Sequence, residues 1–138
     1  GVVGPLVREL QAKGSLLINN KKVILDDVSH FQKGDIFAIV IDTVPCPGAL
    51  DAAKDATILL SESTYLQEHA HLAKEYLHMT ASEAAHIAKK SNVKLLVLTH
   101  FSARYQDLSG FEKEARAIFP STIVADDLKV IPFPKRQL

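Results

Sequence analysis

Three strand-length apolar runs, each closed by a polar residue and separated by helix-like stretches, constrain this chain more than any other feature. Residues 36–41 are continuously apolar and rich in β-branched residues, and read as a buried strand ending at Asp42-Thr43. Residues 57–60 read as a second strand ending at Ser61-Glu62, and 94–98 as a third ending at Thr99-His100. Between them, 49–56 and 67–76 read as helices. Thr80-Ala81-Ser82-Glu83 is a capping box that opens a helix to about residue 90. Ser109-Gly110-Phe111-Glu112 is a second such box and predicts a helix to about residue 119. Residues 122–124 and 128–131 are candidate final strands. This alternation predicts an α/β fold with helices covering at least one face of the sheet.

Composition bounds the rest. A chain of 138 residues, 47% hydrophobic, can bury one domain core. Its apolar runs are too short to span a bilayer. No basic start followed by an apolar stretch marks a signal peptide. A cytoplasmic setting is expected, an organellar one being compatible, with no membrane partner. The single Cys46 excludes an internal disulfide and any multi-cysteine zinc site. Formal net charge is zero, so contact with nucleic acid would need a local basic patch. Residues 1–34 are expected to form an irregular lead-in. It holds a short helix at 6–12, with Pro5 at its start and Gly14 past its end, and a hairpin of 16–18 with 23–25 around Asn19-Asn20. Residues 35–138 carry the α/β part. No glycine-rich phosphate loop is present.

Chemistry gathers at the strand ends, where α/β sheets tend to present functional groups. Alone, Asp42, Glu62 and His100 are each read more readily as caps or structural residues. Repeated at three strand ends, they suggest a zinc or manganese centre with oxygen and imidazole ligands. His78 precedes the cap at Thr80, so it lies near a helix N-terminus where a phosphate could rest. His69 and His71 are two apart on a helix, point to different faces and are discounted as a ligand pair. His30 and His86 have no special context. Cys46, between Pro45 and Pro47, reads as a small packed residue near the site. Against the metal reading stands a metal-free α/β binding module in which the same residues only cap elements.

Several strings resemble ribonuclease Z, in the metallo-β-lactamase superfamily. Leu98-Thr99-His100-Phe101-Ser102-Ala103-Arg104-Tyr105 resembles that family's last metal motif. His78-Met79-Thr80-Ala81, followed by residues 84–89, resembles its histidine–threonine loop and helix. Ile41-Asp42-Thr43 resembles its Gly-Asp-Thr motif, and Ser61-Glu62-Ser63-Thr64 its His-Glu-Ala-Thr motif. Gly1-Val2-Val3-Gly4-Pro5-Leu6 resembles its Gly-Pro segment. Ser61 stands where the family has histidine, and Ile41 where glycine is usual. The family's His-x-His-x-Asp-His motif and its next metal histidine lie N-terminal to everything here.

The resemblance implies that the chain is the C-terminal half of a metallo-β-lactamase αββα sandwich. It implies a zinc-dependent endoribonuclease that cuts precursor tRNA on the 3′ side of the acceptor stem and leaves a 3′-hydroxyl. Asp42 would bridge two zinc ions and His100 complete the second. His78 would stabilise or protonate the reacting phosphate, oriented by Glu62. Ser102, Arg104 and Thr80 would contact substrate. The general base would come from the missing N-terminal half, and a homodimer is expected. The chain by itself is expected to be inactive. The alternative within the same fold is another phosphodiesterase or a sulfatase.

Overall fold

The computed structural model describes residues 2–30 and 32–134. Gly1, the first residue of the Gly-Pro segment, lies outside them. The chain forms two compact units, Gly1–Gly34 and Asp35–Leu138.

In the first unit, α1 (Pro5–Lys13) starts with proline at its first turn and stops at Gly14, whose φ of 71° closes the helix in the left-handed region. Strands β1 (Ser15–Ile18) and β2 (Lys21–Ile24) pair antiparallel. The turn between them places Asn19 and Asn20 at φ 49° and 60°, a conformation asparagine tolerates well. A four-residue helix, α2 (Leu25–Val28), follows, so Leu25 belongs to it and not to the strand expected over 23–25.

The second unit is one parallel sheet in the order β3 (Phe37–Val40), β4 (Ile58–Glu62), β5 (Leu95–Thr99), β6 (Thr122–Val124). The crossovers are α3 (Pro47–Ala53), then α4 (Ala70–Tyr76) with α5 (Ala81–Lys90), then α6 (Ser109–Arg116). Sequential parallel strands joined by crossovers of one hand gather their helices on one face. The burial agrees. Ala38, Val40, Leu59, Leu96 and Leu98 share a core with Ala81, Ala84, Ala85, Ile87 and Ala88 of α5 and with Phe111 and Ala115 of α6. The buried face of α5 is mostly alanine, which lets the helix lie close on the sheet.

Alternation puts the intervening residues on the other face. The register aligns Phe37 with Ile58 and Leu95, and Ile39 with Leu60, Val97 and Ile123. Towards the β3 edge this face is open: Phe37 is 52% exposed and Ile39 56%. The ring of Phe133 approaches Phe37 there, at 6.3 Å between centroids. A strand that is apolar on both faces is built to be covered on both.

Three expectations are corrected. Residues 128–131 form no strand; Leu128 and Val130 stand in solvent, and Pro132 and Pro134 bring no N–H to a ladder. The second capping box does not form. Ser109 is already helical, its hydroxyl donates to Asp107, and Leu108 at the cap position makes no side-chain bond. Strand β4 runs on through Glu62, so that carboxylate belongs to the strand and not to the loop beyond it. Among the described residues no helix is long and apolar enough to cross a membrane.

Candidate metal centre

Because β3, β4 and β5 are neighbours, their C-terminal ends meet on one rim. Asp42 follows β3 and His100 follows β5, and each takes a left-handed conformation, with φ of 55° and 59°. Such a backbone is uncommon for non-glycine residues, though Asp and His are among those that adopt it. It turns each side chain out of the strand's alternation. His100 Nε2 then lies 3.2 Å from Asp42 Oδ1.

Glu62 lies beneath them, fully buried. Its Oε1 accepts from the Thr43 backbone N–H at 2.6 Å. Its Oε2 accepts from the Met79 N–H at 3.1 Å and the Thr64 hydroxyl at 2.8 Å, and lies 3.0 Å from His78 Nδ1. These bonds tie the ends of β3 and β4 to the loop before α5. A parallel bridge between Tyr65 and Thr80 secures that loop. An ionised carboxylate only accepts, so against ionised Glu62 the His78 ring donates from Nδ1 and turns its Nε2 to the site. The two imidazoles face one another at 5.3 Å between centroids. Replacing Glu62 with alanine strands several buried donors. We expect Glu62→Ala to lower unfolding stability by at least about 3 kcal/mol, read by denaturant titration.

Asp42, His78 and His100 each offer a donor atom within 4.8 Å of the others, and no other such trio occurs among the described residues. A tetrahedral ion with bonds of about 2.1 Å sets its donors roughly 3.4 Å apart, close to the Asp42–His100 separation. The donor chemistry, one carboxylate and one imidazole, suits a borderline cation. Asp42 and His100 therefore fit a metal as two of its ligands, with His78 beside them.

The remaining candidates are placed as follows. Thr80 caps α5; its hydroxyl accepts from the Glu83 N–H and donates to Gln67, and it is fully buried. Ser102 donates its N–H to the Thr64 carbonyl and is half-buried. Arg104 is exposed, its guanidinium 5.9 Å from the Tyr65 ring centre. The ring of His69 lies 6.3 Å from that of His71, and its Nδ1 meets the Tyr105 hydroxyl at 2.7 Å. Ser61 is buried, its hydroxyl 3.8 Å from the Met79 sulfur, so the residue that replaces the family's histidine points into the core. Ile41 has no positive φ, and a β-branched residue is accommodated there without strain.

Two residues escaped the sequence reading. Thr43 supplies the N–H to Glu62, and its hydroxyl lies 3.8 Å from Cys46 Sγ. The backbone N–H of Ala49, and then Thr43, hold the Cys46 thiol below its ordinary range. Thr64 joins Glu62 to His100, with its Oγ1 3.0 Å from His100 Nδ1. Its place in the fourth position of the Ser61–Thr64 string was the only signal for it.

Fold and rim together define half of a metallo-β-lactamase sandwich. The metallo-β-lactamase fold protein YhfI from Bacillus subtilis superposes over 64% of this chain and 36% of its own, at a TM-score of 0.59 and 23% identity. Human tRNase Z, short form, superposes over 83% of this chain and 37% of its own, at a TM-score of 0.57 and 30% identity. No family profile matches the chain. In sequence it is 56% identical over all 138 residues to ribonuclease Z of Protochlamydia amoebophila, and 50% identical over 135 residues to that of Chlamydia muridarum. The chain is a relative of ribonuclease Z and matches the C-terminal part of it. It spans 45% of the length of the first relative and 44% of the second.

Proposed function

We propose that this chain supplies the proton-donor and part of the metal-binding machinery of a zinc-dependent endoribonuclease. The enzyme cuts precursor tRNA on the 3′ side of the acceptor stem and leaves a 3′-hydroxyl. The observation that carries the reading is the meeting, on one rim, of the Asp42–His100 pair with the Glu62–His78 pair. Similarity over 138 and 135 residues of this chain to proteins named ribonuclease Z supports the substrate.

Asp42 and His100 would hold metal, Asp42 bridging two ions. Bound zinc supplies positive charge at the phosphate and activates water at neutral pH. Glu62 orients His78 through Nδ1 and favours its imidazolium form, whose Nε2–H gives a proton to the leaving oxygen. Arg104 and Ser102 contact flanking phosphates. The Thr80 hydroxyl is engaged in the cap, so its part is to hold the His78 loop at the substrate. The partners in this reading are precursor tRNA, the N-terminal half of the same fold against the open sheet face, and a second copy in a homodimer. The setting is cytoplasmic.

In the complete protein, His78→Ala should keep its full metal content while single-turnover cleavage slows by about 10²–10⁴-fold. Metal analysis and rate are measured on one preparation. Loss of metal from His78→Ala would make His78 a ligand and overturn the division of roles.

A further inference from the structure

We propose that Thr64 is a positioning residue for the metal centre: its hydroxyl fixes the proton of His100 on Nδ1 and so presents Nε2 to the ion. The inference rests on the metal reading of the Asp42–His100 pair, and not on the identity of the substrate.

Glu62 is fully buried, and the obligate donors Thr43 N–H and Met79 N–H each occupy one of its oxygens. As an ionised carboxylate it accepts from both and donates to neither. The Thr64 hydroxyl has one proton, and at 2.8 Å from Glu62 Oε2 that proton goes to the carboxylate. If it went to His100 instead, a hydroxyl lone pair would face a buried carboxylate oxygen with nothing between them, which is costly in the interior. Towards His100 Nδ1, 3.0 Å away, the hydroxyl thus offers only a lone pair. The ring must donate from Nδ1, so in its neutral form Nε2 carries the lone pair; a second proton on Nε2, paired with Asp42, is the one a bound cation displaces. That atom lies 3.2 Å from Asp42 Oδ1. Two lone-pair donors so close repel unless a cation lies between them. Thr64 is itself immobilised. It is 6% exposed, and its carbonyl accepts from the Ser102 N–H at 3.0 Å. One oxygen, Glu62 Oε2, therefore sets both rings, His78 directly and His100 through Thr64, each with Nε2 towards the site.

The test uses the complete protein with zinc as the probe. Zinc affinity is measured by chelator competition, and the His100 tautomer by ¹⁵N–¹H NMR of the ring in zinc-loaded protein and in zinc-free protein at alkaline pH. The wild type should show Nδ1–H with Nε2 unprotonated. Thr64→Val keeps the shape and removes the hydroxyl. It should weaken zinc by about 10–100-fold and mix the tautomers, as expected for an orienting partner of a metal ligand. Thr64→Ser should restore both. Zinc affinity of Thr64→Val equal to that of the wild type, with Nδ1–H retained, would reduce Thr64 to a packing role and overturn the proposal. Should Thr64→Val not fold, the wild-type spectrum still decides: Nε2–H in the zinc-free protein, or zinc on Nδ1, overturns it. None of these readouts involves RNA. Failure of the wild type to cleave precursor tRNA would sink the substrate and leave Thr64's role standing.

Discussion

His100→Ala in the complete protein should release one metal per site and abolish cleavage. His100 is held on both sides, its Nδ1 at Thr64 and its Nε2 at Asp42, so its place on the rim is set before any ion arrives. Loss of a partner that merely orients a ligand costs about 10–100-fold in affinity or activity, and loss of the ligand itself should exceed that. Single-turnover cleavage should fall by more than about 100-fold, accompanied by a drop in bound metal. The contrast with His78→Ala is the discriminating feature: both variants slow the reaction, but only His100→Ala loses metal. Full metal content in His100→Ala would remove His100 from the ligand set.

The second large effect is expected from the 138-residue chain made alone. It should not cleave precursor tRNA, and it should give up zinc to a modest chelator. A catalytic zinc takes about three protein ligands. Asp42 and His100 supply too few for one such ion, and far too few for a pair. With so few ligands the cation keeps most of its water shell. The sheet face carrying Phe37 and Ile39 would also stand open, and exposed apolar area of this kind drives association. Sedimentation should show self-association that Ile39→Asp reduces. Tight binding of two zinc ions by this chain, with multiple-turnover cleavage, would show that the ligands have been misplaced.

What could be read in the sequence was what depends on local pattern. The strands β3, β4 and β5 announce themselves as short apolar runs, and Thr80 with Glu83 marks the start of α5 through a capping box that forms as expected. The strand-end rule placed Asp42 and His100 on one rim because sequential strands proved to be neighbours. Where pairing decides, pattern was insufficient. Residues 128–131 look like a strand but make no ladder, and β4 extends through Glu62 because Thr99 of β5 lies opposite it. The Ser109–Glu112 string fails as a capping box because Asp107, two residues upstream, takes the hydroxyl that the box needs. The hydrogen-bond hub at Glu62 was invisible for a similar reason. Its donors come from residues 43, 64, 78 and 79, brought together only by the parallel sheet and the Tyr65–Thr80 bridge. Family resemblance supplied Glu62 beside His78, but not the role of Thr64.

The most direct test of the account is cleavage of a 5′-labelled precursor tRNA by the complete, zinc-loaded protein, with the cut site and end group mapped. The account predicts one cut on the 3′ side of the acceptor stem, a 3′-hydroxyl on the tRNA, and loss of cleavage on chelation that zinc restores. Fully loaded protein that leaves the precursor intact, or that produces a 2′,3′-cyclic phosphate, would contradict it.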